Sequence, residues 1–116
     1  MTERPGASPL VLEVIHSGED VVVKCSGRLV AGVGQYLYTK VSPLIPGSKR
    51  IVLDLTDLTH MDSMGLGTVV RLYVSAKSAG CDLRLINLTP RIRQLLSITN
   101  LLDLVGSVGG TGIGYL

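Results

Sequence analysis

The sequence predicts an α/β fold: a small mixed β-sheet with helices packed on it, in the order β-β-α-β-α-β-α. Three observations carry this expectation. Short apolar runs rich in Val and Ile alternate with segments of helical periodicity. Two strand–helix–strand crossovers favour parallel neighbours, while the first two runs sit close enough for an antiparallel hairpin. The chain has 116 residues, 46% apolar and 17% charged. That is one domain, able to bury about two-thirds of its unfolded surface without metal or disulfide support.

Taken in order, residues 1 to 8 are polar and rich in Pro and Gly, a flexible leader. The folded domain is expected from residue 9 to 105. Leu10 to Ile15 reads as a strand, Ser17-Gly18-Glu19-Asp20 as a turn, and Val21 to Cys25 as a second strand. Gly27 and the cluster Gly32-Val33-Gly34 break the pattern. From Gln35 to Ile45, the residues Leu37, Val41, Leu44 and Ile45 recur at helical spacing. Pro43 comes too late for a first turn, so this helix should kink or end there. Pro46-Gly47-Ser48 reads as a turn.

Ile51 to Leu55 is the strongest strand signal, apolar on both faces, which suits the middle of a sheet. A loop should follow, then a helix starting near Met64 with Leu66, Val69, Val70 and Tyr73 on its buried stripe. Gly80 stands where a C′ glycine would end that helix. Leu83 to Leu88 reads as a strand. Thr89-Pro90 is a hydroxyl N-cap followed by Pro at N1, and Ile92, Leu95 and Leu96 form the stripe of the helix it opens. Asn100 is a helix stop, and Leu101 to Val105 a short apolar closing segment. Residues 106 to 116 form a glycine-rich tail.

Composition narrows the function classes. Four tyrosines are the only aromatics, so stacking platforms for bases are nearly absent. The net charge of +2 is weak, and Arg84, Arg91 and Arg93 are flanked by Asp82 and Asp103, so these arginines read as a solvated helix face. No direct nucleic-acid binding is expected. Cys25 and Cys81 lie far apart, each in apolar context, with neither C-x-x-C nor zinc spacing; both read as reduced core residues. No metal or cofactor is expected. The first six residues carry no apolar signal region, and no run approaches the roughly 20 apolar residues of a membrane span. A cytoplasmic protein without a membrane span is the default expectation.

The glycine-rich stretches do not make nucleotide loops. Gly32-Val33-Gly34 has Leu37 where a third glycine would stand, Gly47-Ser48-Lys49 is no phosphate loop, and Gly109 to Gly114 has no helix after it. His60, Asp62 and Ser63 do not suit a catalytic triad, whose members must converge from separated backbone positions. The informative run is His60-Met61-Asp62-Ser63-Met64-Gly65-Leu66-Gly67. It places a hydroxyl beside a carboxylate where a strand hands over to a helix N-terminus, a place that tolerates a phosphate well. Asp62 or Ser63 can cap the helix. Gly65 and Gly67 leave the first turn open to another backbone, and Met61 and Met64 supply adaptable apolar contact. Simple capping with tight helix–strand packing is the plain alternative.

These residues resemble the STAS domain, specifically the stand-alone bacterial anti-sigma factor antagonists. The resemblance spans roughly residues 10 to 105. It is strongest in Ile51-Val52-Leu53-Asp54-Leu55 and Met61-Asp62-Ser63-Met64-Gly65-Leu66-Gly67, and continues in Gly80 to Leu85 and Pro90 to Leu96. It implies a regulatory binding protein, not an enzyme. It further implies that Ser63 is phosphorylated by an anti-sigma factor that is itself a serine kinase, and reset by a PP2C-type phosphatase. Met61, Asp62, Met64, Gly65 and Leu66 would then belong to the partner-binding surface. The chain departs from the family pattern in two places: Val30 follows Gly27-Arg28-Leu29 where an acid commonly stands, and Met64 replaces a second serine. The alternatives are a constitutive STAS scaffold subunit of a lipid-transport ATPase or signalling assembly, and a small-ligand or nucleotide sensor. Oligomeric state is not legible.

Overall fold

The computed structural model describes residues 9 to 98. The expected leader, closing segment and glycine-rich tail lie outside the described residues. Four strands form one sheet in the order β1-β2-β3-β4: β1 (Leu10–Ser17), β2 (Asp20–Leu29), β3 (Arg50–Met61) and β4 (Asp82–Ile86). β1 and β2 form the expected antiparallel hairpin, while β2–β3 and β3–β4 are parallel. The helices are α1 (Gly34–Val41), α2 (Ser63–Ser78) and α3 (Pro90–Ile98).

Pro43 does end the first helix. After Val41 the chain tightens into a 3₁₀ segment, Ser42–Gly47, which absorbs both Pro43 and Pro46; the expected turn at Pro46 is the end of that segment. Two other expectations need correction. β2 does not stop at Cys25 but runs through Gly27, whose φ of 101° and proximity to the Pro9 carbonyl leave no room for a side chain. β3 does not stop at Leu55 either, and no loop precedes α2 except Asp62. The register with β2 slips twice, between Lys24 and Ser26 and between Gly27 and Arg28, each time with an extra residue on β3. The bulges destroy the period-two pattern after Leu55, and the first of them turns Leu58 into the core.

The first bulge is pinned by Asp54. One carboxylate oxygen accepts from the Thr56 amide at 3.0 Å, the Thr56 hydroxyl at 2.6 Å and the Asn87 amide group at 3.1 Å. Partial burial pushes its carboxyl up, but these hydrogen bonds and Lys24 outweigh that and hold it below the ordinary range.

The core is aliphatic. Val23, Ile51, Leu53 and Leu85 from the sheet meet Leu37, Val41, Leu66, Val69, Leu72, Ala76, Ile92 and Leu96 from the helices. Val70 and Tyr73 are only half-buried; Leu72 and Ala76 take the deepest places on α2. Cys25 and Cys81 are both buried and free. Burial, then the Asp54 charge, pushes the Cys25 thiol up to about 12, so it stays a neutral packing group. Arg84 lies on β4, not on a helix, and pairs with Asp82 at 3.1 Å. Thr89 caps α3 as expected, accepting from the Ile92 amide at 3.3 Å.

Candidate functional site

Two parallel strands end side by side, Leu29 beside Met61, and their C-terminal ends define the site. From β2 the chain turns through Val30 to Val33, with Gly32 at a φ of 93°, and enters α1. From β3 it passes a single residue, Asp62, and enters α2. Asp62 settles the choice of cap that sequence left open. One carboxylate oxygen accepts from the Gly65 amide at 2.9 Å, satisfying an orphan donor of the first turn. The other accepts from the Ala31 amide, also at 2.9 Å, thirty-one residues away. Asp62 therefore ties the β2–α1 turn to the start of α2. Its two amide donors, Gly65 first and then Ala31, hold its carboxyl below the usual range, so it stays charged.

Ser63 occupies N1 of α2 and is exposed, and no described residue holds its hydroxyl. Met64 follows at 64% exposure. Met61 is half-buried and packs against the core. Leu66 is buried. Gly65 is also buried, and its role differs from expectation: a Cβ there would strike the Leu29 carbonyl, so its close neighbour is this chain's own β2. Gly67 is exposed and faces open space. Of the two glycines, only Gly67 leaves the helix surface open to another molecule.

The geometry does not assemble a nucleophile with a base. Both Asp62 oxygens are taken by backbone amides, and His60 Nδ1 pairs with the Thr59 hydroxyl at 2.9 Å. Among the described residues no group of three His, Cys, Asp or Glu side chains could hold a metal ion, and no helix is long and apolar enough to cross a membrane. What the arrangement offers is a surface cross-linked by Asp62, with a free Ser63 hydroxyl and the exposed Met64 thioether at a positive helix end.

Comparisons with known proteins identify the family. The STAS domain pattern matches residues 11–111. The anti-sigma-B factor antagonist of Bacillus subtilis is 31% identical over 94 residues, covering 81% of this chain and 86% of the relative. Among solved structures, an anti-sigma factor antagonist from Mycobacterium paratuberculosis superposes with a TM-score of 0.75 at 18% identity, covering 92% of this chain and 89% of that one. The Bacillus cell fate determinant SpoIIAA in its phosphorylated form gives a TM-score of 0.64 at 24% identity, covering 79% and 84%. At these identities the structures speak for the fold alone. The Bacillus subtilis relative is named for antagonism of another protein, not for catalysis.

Proposed function

Because the chain belongs to the STAS domain family, we propose that it is a cytoplasmic anti-sigma factor antagonist whose partner is an anti-sigma factor with serine-kinase activity. Unphosphorylated, it occupies the anti-sigma factor and frees the sigma factor for transcription. The kinase transfers the γ-phosphoryl of ATP to the Ser63 hydroxyl, and the product dissociates. A PP2C-type phosphatase hydrolyses the ester and resets the cycle.

The observation that carries this reading is the exposed, unheld Ser63 hydroxyl at N1 of a helix whose cap is supplied by its neighbour. Because Asp62, not Ser63, satisfies the first-turn amide, phosphorylation takes nothing from the fold. A phosphoserine carries about −1.5 to −2 charges near neutral pH. At a helix N-terminus that charge is favourable to the fold by roughly 0.3–1 kcal/mol. The change therefore falls on the interface, where a dianion set in apolar contact is costly to desolvate. In this scheme Met64 makes direct contact. Asp62, Gly65, Leu66 and Met61 hold the surface from beneath, the last three by packing.

Val30 favours a second reading. It stands at the β2–α1 turn next to Ala31, where the family commonly carries an acid. A constitutive STAS scaffold, as in a lipid-transport ATPase or a signalling assembly, needs no such acid. Incubation with ATP and the anti-sigma factor kinase encoded nearest the gene, followed by mass spectrometry of the Ser63 peptide, separates the two. The antagonist reading expects one added phosphate on Ser63; an unmodified peptide overturns it in favour of the scaffold.

A further inference from the structure

Among the described residues the acids keep to the sheet layer, while cations occur on strands and helices alike. Every acidic residue from 9 to 98, namely Glu13, Glu19, Asp20, Asp54, Asp57, Asp62 and Asp82, lies on a strand or in a turn beside one. None of the helices, nor the 3₁₀ segment, contains an acid. This runs against helix energetics, because first-turn carboxylates favour the dipole and acids spaced i,i+4 from lysine or arginine support the helix. On α2 the exposed residues are Ser63, Met64, Gly67, Arg71, Val74, Lys77 and Ser78, and from Met64 to Lys77 they recur every three or four positions. Arg71 is laid over the Tyr38 ring at 4.1 Å and Lys77 over Tyr73 at 6.0 Å, and neither meets a carboxylate among the described residues. Val74, between them in sequence, is 55% exposed, and Gly67 faces open space.

We infer that this stripe of α2 is a docking face for a protein segment that is acidic and apolar together, such as an amphipathic helix with glutamates beside leucines. The inference rests on the antagonist reading and names the chemistry of the partner's contact. The Tyr38 ring restrains the Arg71 guanidinium, and the Tyr73 ring more loosely the Lys77 ammonium, so less side-chain freedom is lost when a carboxylate arrives. Gly67 admits a second helix closely, and Val74 with Met64 gives it apolar contact. The stripe is too sparse in cations for lipid or nucleic-acid phosphates, which call for clusters of about four to eight. The face also fixes the sign of the switch. Ser63 lies about 12 Å along the axis from Arg71, roughly one Debye length, so a phosphate there does not neutralise Arg71. It meets the incoming acidic segment at the start of the same stripe and repels it.

The test uses the whole chain and a synthetic amphipathic helical peptide bearing leucine and glutamate on one face, followed by amide chemical shifts and titration. The same peptide with lysine for glutamate and phosphatidylglycerol vesicles are the comparators. Wild type should bind the acidic peptide with shifts along α2, and Arg71→Glu with Lys77→Glu should weaken it by about tenfold or more. The milder Val74→Ser should weaken it less, while Arg91→Glu on α3 leaves it unchanged. Absence of binding, shifts away from α2, or equal binding of the lysine peptide or the vesicles overturns the inference. An unphosphorylated Ser63 beside a peptide mapped to α2 sinks the switch and spares the face; the reverse pair of results sinks the face alone.

Discussion

The two ends of α2 solve the same problem with different materials. At the C-terminal end the backbone closes on itself. The Cys81 amide reaches the Ala76 carbonyl at 2.8 Å and the Gly80 amide reaches Lys77 at 3.2 Å, with Gly80 at a φ of 76°. This is a Schellman closure that serves the helix and nothing else. At the N-terminal end a side chain closes the helix, and that side chain also grips Ala31 from the neighbouring turn. The difference is one of reach. A backbone closure is local, whereas a carboxylate with two oxygens joins two segments and leaves the next residue, Ser63, free. Stability is therefore expected at one end of α2 and switching at the other.

Substitutions can sharpen or break that contrast. The largest stability effect is expected at Gly65→Ala, where the new Cβ meets the Leu29 backbone and neither segment can yield without moving a strand or a helix. A loss of about 4 kcal/mol or more should appear in chemical denaturation. Gly67→Ala, two residues on and facing open space, should instead raise stability by about 1 kcal/mol from helix propensity. If both behave alike, the internal role given to Gly65 is wrong. At the other end, Gly80→Ala forces a left-handed alanine and should cost about 1–2 kcal/mol without changing partner affinity. A matching fall in affinity would erase the distinction between the ends.

Acid should act on the N-terminal end. The Asp62 carboxyl is held below its unfolded value of about 3.9, so its stabilisation is complete above that pH and is lost as pH falls through the lower folded value. Asp54 shares this direction, so a melting series on Asp62→Asn, which removes the Asp62 titration, should show a shallower acid decline than wild type. Superimposable curves would remove Asp62 from the account. The smallest stability effect is expected at Ser63→Asp, whose melting temperature should equal that of wild type or exceed it by up to about 4 °C, because the hydroxyl holds nothing in the fold and the added charge suits a helix N-terminus.

Much of this was legible in the residues. The helix openings at Thr89-Pro90, the stop at Gly80, the hairpin and the parallel crossovers all follow from local chemistry and connection rules. The second half of β3 was not, because the first bulge puts Leu58 out of phase with Ile51, Leu53 and Leu55, and a second bulge follows it. Leu72 was missed as the deepest side chain of α2 because Val70 and Tyr73 fit the same spacing one position away. At the site, the position of Ser63 could be read from its flanking strand and helix. The tie from Asp62 to Ala31 could not, since nothing local links residues on different sides of a parallel pair. Nor could the inward orientation of Gly65, which depends on where β2 ends.

The most direct test is calorimetric titration of the chain, with Ser63 phosphorylated and unphosphorylated, against the proposed anti-sigma factor kinase, alongside thermal melts of both forms. The account predicts affinity weakened by about tenfold or more on phosphorylation, with melting unchanged or slightly raised. Equal affinities, or a loss of affinity that tracks a loss of folded protein, would contradict it.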